Sequence, residues 1–198
     1  MGRPRTFDEE QVVRRATELF WTKGYEATSI AELSAELGVH PGSLYRSFGN
    51  KEALFQRAVE HYRDHWAAGL GPYLCAGGPV LPRVRAVLVD FIEQAAGQQP
   101  PRGCLIANSI GELLPEGEAS LTELLGGTLA VVEDGFLQGL RLAAEHGELA
   151  NPGQLAAHAA LLTMLLEGLQ IRLKVEPDPR RLRPAVESGL AALGLVMT

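Results

Sequence analysis

The sequence predicts an all-α protein, on three observations. Apolar residues recur at helical spacing along most of the chain. The runs open on capping side chains and close on Gly or Pro, and no stretch alternates apolar and polar residues as a half-buried strand does. At 198 residues the chain is long enough for a small module joined to a larger one.

Composition narrows the function classes. Hydrophobic residues make up 46% and charged residues 21%, the profile of a folded globular chain and not of a disordered one. A net charge of −6 argues against indiscriminate coating of nucleic acid, but the charge is uneven. Residues 1 to 65 hold nine Lys/Arg against ten Asp/Glu and the remainder nine against fourteen, so local basic sites remain open in the first third. The opening "MGRPRTFDEE" has no apolar run behind its arginines, so neither a leader nor an anchor is expected and the cytoplasm is the expected location. The two cysteines, Cys75 and Cys104, read as free thiols in that compartment. No zinc-ligand spacing occurs, and no metal or cofactor is expected.

The elements follow in order. Asp8 is placed to cap a first helix over Glu9 to Lys23, with Gln11 as its box partner and Phe7 stapling onto Val12. Val12, Ala16, Leu19 and Phe20 share one face of it, and Gly24 stops it. In "TSIAELSAELG" Thr28 or Ser29 caps a second helix, Ser29 and Glu32 form an S-x-x-E box, Ile30, Leu33 and Leu37 make its buried stripe, and Gly38 ends it. A third helix must start almost at once, with His40 at the cap and Pro41 at the first helical position, where the missing N–H costs nothing. Asn50 caps a fourth, longer helix. The Gly- and Pro-rich stretch 69 to 82 reads as a junction. Helical stretches follow near 83 to 97, 103 to 114, 119 to 146, 154 to 174 and 179 to 196. "LAAHAALLTMLLEGLQI", the most apolar stretch, is short for a bilayer span and contains His158, Thr163 and Glu167; it reads as a buried helix.

Two helices joined by three or four residues with a glycine in the turn match the helix-turn-helix arrangement, whose second helix enters the DNA major groove. Leu44 and Phe48 would pin the short third helix to its neighbours and leave its other face for DNA.

In "ELFWTKGYEATSIAELSAELGVHPGSLYRSFGNKEALF" the phrases G-Y-x-A-T-S-I, I-A-x-L-S, L-G-V, G-x-L-Y-x-x-F and N-K-E-A-L stand in an order and spacing that resemble the TetR/AcrR family of bacterial transcriptional regulators. The resemblance implies an N-terminal three-helix helix-turn-helix DNA-binding head (1–50), a connecting helix (51–70), and a helical ligand-binding and dimerisation domain (71–198). It also implies a homodimer formed through the last two helices, a double-stranded DNA operator, a small-molecule inducer, and no membrane. Carried over by position, Gly42, Ser43, Tyr45 and Arg46 would face DNA within a recognition segment that also holds His40 and Pro41. Thr28 and Lys51 match phosphate-contact positions, with Ser29 beside them, and Arg3 and Arg5 would reach the minor groove or a phosphate. Either Arg46 or His40 could read a base edge. The chain departs from the family at His40-Pro41, where a small hydroxyl residue followed by a non-proline is usual.

Other readings stand beside these. Cys104 follows Arg102 and Gly103 at a helix start, where the field favours a reactive thiolate, and "R-G-C-L-I-x-N" resembles the matching helix of electrophile and oxidant sensors in the family. The alternative is a small buried hydrophobe. Pocket candidates by polarity and position are Phe91, Cys104, Asn108, Met164 and Gln170. His158, Glu167 and Gln170 would line a pocket or pair across the dimer, for which Leu162, Leu165, Leu166, Leu169, Leu190, Leu193 and Leu195 exceed the needs of one core. Two further function classes are an all-α enzyme with Cys104 as nucleophile and His158 as base, and an activator or architectural factor carrying the same head.

Overall fold

The computed structural model describes residues 7–97, 102–113, 119–149 and 152–195, and among these it contains helices and no strand. Among the described residues ten α-helices run in order: α1 Glu9–Lys23, α2 Ile30–Leu37, α3 Pro41–Phe48, α4 Lys51–Tyr62, α5 Leu70–Leu74, α6 Leu81–Gly97, α7 Leu105–Leu113, α8 Ala119–Glu145, α9 Leu155–Val175 and α10 Pro179–Ala192. The expected cap residues sit where the sequence places them, although of the two expected boxes the reciprocal one is seen at Ser29–Glu32 and Gln11 contributes only its backbone amide to Asp8. The Asp8 carboxylate accepts from the amides of Glu10 and Gln11, the full capping box forms between Ser29 and Glu32, and Asn50 accepts from the amide of Ala53. Each such cap is worth about 1 kcal/mol. Gly38 closes α2 at φ 67°, a left-handed conformation that a side chain resists.

α1 packs along α4, and α2 and α3 close the head around Phe20, Leu33, Leu44 and Phe55, all essentially inaccessible to solvent. Phe20 and Phe55 meet edge to face at 5.1 Å. This core does not stop at the head, because Cys104, Leu105, Ile106 and Leu113 from α7 and its approach, and Leu121 and Leu125 from α8, belong to the same cluster. A second core gathers α5, α6, α8, α9 and α10 around Leu74, Leu88, Ile92, Phe136, Leu140 and Leu162.

Two features depart from the sequence reading. The connecting helix expected over 51–70 does not run evenly: after Tyr62 it winds into a π turn over Arg63–Ala67, where the amide of Ala68 bonds the carbonyl of Arg63. The wider turn brings Tyr62 and Trp66 onto one side as a stacked pair, ring centroids 5.3 Å apart. Part of the expected junction is also helical. α5 fits tightly on α8 because both are cut back to glycine at the crossing: a Cβ on Gly139 would lie 2.9 Å from the Leu74 Cβ, and one on Gly135 3.0 Å from the Gly71 nitrogen.

Helix α9 is long and apolar enough to cross a membrane by length and composition. Its packing explains the apolar character differently. Leu162, Leu166, Leu169 and Leu173 are buried against the second core, while Leu161, Met164, Ile171 and Val175 form an exposed stripe at 44%, 62%, 57% and 85% accessibility. The expectation that the leucines at 162, 166, 169, 190 and 195 are surplus to one core is therefore corrected: all five are buried within this subunit, and the unpaired apolar surface is the opposite side of α9.

Candidate nucleic-acid interface and the cavity behind it

The turn between α2 and α3 is held from inside. Ser34 donates its hydroxyl to the carbonyl of Val39 at 2.7 Å, and the guanidinium of Arg15, from α1, donates to the carbonyls of Glu36 and Leu37 at the end of α2. That cation satisfies carbonyls the helix leaves open and complements its negative end. At α3, Nδ1 of His40 accepts from the amide of Gly42 at 3.2 Å, so the imidazole takes over the capping task of the usual hydroxyl, and Pro41 occupies the first turn. Leu44 is buried and Phe48 half-buried against the head core. His40, Gly42, Tyr45 and Arg46 face solvent, with Tyr45 51% accessible, and Pro41 and Ser43 are half-buried. The exposed face offers a guanidinium, an imidazole and a phenol, all groups that bond phosphates or base edges.

Other expected contacts are placed differently. Thr28 is fully buried, and its hydroxyl donates to the carbonyl of Gly24 at 2.6 Å, so its side chain locks the α1–α2 turn and does not present itself to a phosphate. Ser29 is exposed, with its hydroxyl oxygen committed to the amide of Glu32. Lys51 is half-buried; Nζ donates to the carbonyl of Tyr25 at 3.1 Å and lies 4.0 Å over the Tyr25 ring. Arg3 and Arg5 lie outside the described residues.

The sequence reading missed how the second part grips the head. Glu112 of α7 accepts the amides of Tyr25 (3.0 Å) and Glu26 (2.6 Å) in the α1–α2 turn. Trp21 donates its indole N–H to the carbonyl of Gly103 at 2.9 Å, and Arg102 pairs with Glu18 while standing over the Trp21 ring. These bonds span more than 80 positions of sequence, so no local pattern announces them.

Behind this grip lies a cavity of about 430 Å³, within the size range of small-molecule sites. Trp21, Tyr62, Trp66 and Phe91 supply aromatic walls, Val87, Leu129, Val132, Leu166 and Leu173 aliphatic ones, and Glu18, Gln94, Arg102, Cys104, Thr128 and Gln170 polar atoms, with Gln94 exposed and Gln170 buried. Of the expected pocket residues, Phe91, Cys104 and Gln170 converge here. Asn108 and Met164 do not: Asn108 is tied to the carbonyl of Arg102 and the ammonium of Lys174, and Met164 lies on the exposed stripe of α9.

Cys104 is buried, and burial pushes its thiol up, outweighing the hydrogen bond at 3.5 Å that the Tyr62 hydroxyl donates to Sγ. Tyr62 is itself held well above the ordinary phenol value, by burial first and by the Cys104 sulfur second. Of the two readings of Cys104, this burial favours the small buried hydrophobe, because desolvation opposes the field at the helix start. His158 lines a different depression, with Leu149 and Leu193, so the nucleophile and base of the enzyme reading do not meet. Among the described residues no cluster of His, Cys, Asp and Glu is placed to hold a metal.

Comparison with known proteins agrees with this geometry. Residues 12–58 match the family model described as bacterial regulatory proteins, tetR family. Over 194 residues the chain is 32% identical to the uncharacterized HTH-type transcriptional regulator YezE of Bacillus subtilis, covering 98% of this chain and 100% of that one. It is 30% identical over 174 residues to the HTH-type transcriptional repressor ComR of Escherichia coli, covering 86% and 81%. Among solved structures it superimposes on a cysteine mutant of the TetR family transcriptional regulator CifR in complex with 26bp double-strand operator DNA. There the TM-score is 0.81 and the identity 28%, over 96% of this chain and 99% of the other.

Proposed function

This chain belongs to the TetR family of bacterial regulatory proteins, and on that premise we propose that it works in the cytoplasm as a homodimeric repressor, released from a palindromic operator by a small molecule entering the cavity between its two cores. That it is an HTH-type, DNA-binding transcriptional regulator and not an enzyme follows from the family. The observation that carries the rest is α3: a helix of eight residues, too short to stand alone in water, held by Leu44 and Phe48 so that Arg46, Tyr45 and the His40 end point outward.

Residues 1–50 are read as the DNA-binding part, 51–70 as the connector and 71–198 as the ligand and dimerisation part. Two heads reach successive major grooves only if a dimer spaces them about one helical turn, roughly 34 Å, apart. The exposed stripe of α9 supports such a dimer, since Leu161, Met164, Ile171 and Val175, spaced by three, seven and four residues, fall on one side of the helix and present a seam that water disfavours. Cavity contents would act on the heads through Trp21, Glu18 and the Glu112 grip, because these groups belong to or hold α1 and the turn after it. A differential preference of about 1–3 kcal/mol for the non-binding arrangement suffices for regulation. Repression is the activity named for ComR.

Selection of the purified protein against random duplex DNA tests this reading, with enrichment of an inverted repeat as the expected result. Met164→Glu should yield a folded monomer in sedimentation that no longer retains the repeat. Enrichment of a single half-site by a monomeric wild type would overturn it.

A further inference from the structure

The lining of the cavity specifies the chemistry of what it holds; the inference rests on the reading above that this cavity takes the inducer. Trp21 and Tyr62 meet edge to face at 5.2 Å, and Trp66 stacks on Tyr62, so one side of the cavity is a continuous aromatic surface with Phe91 also in the wall. Gln170 lines the same space, is only 5% accessible, and its Oε1 has no hydrogen-bond partner among the described residues. An amide oxygen left unpaired among apolar groups costs free energy that a bound partner recovers. The lining offers no net charge. Glu18 and Arg102, the two ionic side chains of the lining, pair with each other.

We propose that the occupant is a neutral aromatic alcohol or phenol, seated against Trp21, Tyr62, Trp66 and Phe91 and hydrogen-bonded through its hydroxyl to Gln170. A hydroxyl both donates and accepts, so it satisfies the amide whichever way the amide is turned. Aromatic walls favour a flat ring through offset and edge contacts beyond simple burial. An ion would lose its hydration without gaining a counter-charge. The occupant would touch Trp21 of α1 directly, and so the head itself.

Trp21 and Trp66 are the two tryptophans of the chain, and both line the cavity, so intrinsic tryptophan emission reports occupancy. The experiment titrates the DNA-free protein with 2-phenylphenol, biphenyl, biphenyl-2-carboxylate and 2-(aminomethyl)biphenyl, following emission and heat. The phenol should quench saturably, biphenyl should bind about fivefold more weakly for want of one hydrogen bond, and the two ions about tenfold or more weaker than the phenol. Gln170→Leu should erase the advantage of the phenol over biphenyl while leaving biphenyl affinity in place, and Val132→Phe should fill the cavity and abolish both. Either ion binding as tightly as the phenol, or no saturable quenching by any neutral probe with the wild type, overturns the proposal. The same probes are then added to the operator complex. A phenol that binds the free protein but leaves DNA bound refutes the inducer reading and not the chemistry of the cavity.

Discussion

The grip of Glu112 on the α1–α2 turn is the contact whose removal is most informative. Its carboxylate accepts two backbone amides, Tyr25 at 3.0 Å in a partly buried setting and Glu26 at 2.6 Å in an exposed one. Bonds to a charged acceptor contribute about 1.5–3 kcal/mol when shielded and less in water, so about 2 kcal/mol in total is the expected cost of Glu112→Ala. Glu112→Gln keeps one acceptor oxygen and should lose about half of that. Gly24 would then be freed of the carboxylate that now stands 3.0 Å from where its Cβ would be. Urea unfolding measures the stability change, and amide exchange at Tyr25 and Glu26 reads the local effect. Loss of protection at these two amides with α3 amides unaffected is the predicted pattern. A stability change within about 0.5 kcal/mol for Glu112→Ala, with both amides still protected, would refute the role assigned to this carboxylate.

Other consequences are as direct. Gly139→Ala drives a methyl against the Leu74 Cβ at 2.9 Å and should cost about 1–3 kcal/mol by overpacking, seen as a lowered urea midpoint; an unchanged midpoint would mean that α5 moves freely on α8. With a thiol reagent at neutral pH the exposed Cys75 should titrate promptly and Cys104 only on unfolding, and equal rates would contradict the burial of Cys104. The folded state holds Cys104 and Tyr62 with raised pKa, so their contribution to stability is complete below the ordinary thiol value of 9.0 and is lost as pH rises beyond it. The alkaline decline should be shallower in Cys104→Ala, and identical pH profiles would disprove the linkage. Arg46→Ala, an exposed change, should leave unfolding untouched while weakening operator binding by about 1–3 kcal/mol if Arg46 reads a base; undiminished affinity would remove Arg46 from the interface.

The head was legible because its instructions are short-range. Ser29 and Glu32 find each other across one helical turn, Gly38 supplies its own left-handed backbone, and Pro41 presets the start of α3, so each signal lies within a few residues of its effect. Even His40, which breaks the usual pattern, was readable as a cap since its acceptor reaches an amide two residues on. Thr28 marks where this reading ends: its position was plain, but whether its hydroxyl meets a phosphate or the carbonyl of Gly24 depends on how the turn packs.

By itself, then, the sequence determined the helices, their caps, the tight turn and the outward face of α3, all of them set by neighbours in the chain. Only the tertiary structure decided which side of α9 is inside, because that helix is apolar nearly all round and periodicity cannot choose between Met164 and Leu166 when both faces are greasy. The cavity was likewise decided by packing. Trp21, Tyr62, Phe91 and Gln170 come from four separate helices, and the space between them exists only where those helices fail to close completely. The burial of Cys104 was decided by the same packing, which takes away water that a thiolate needs.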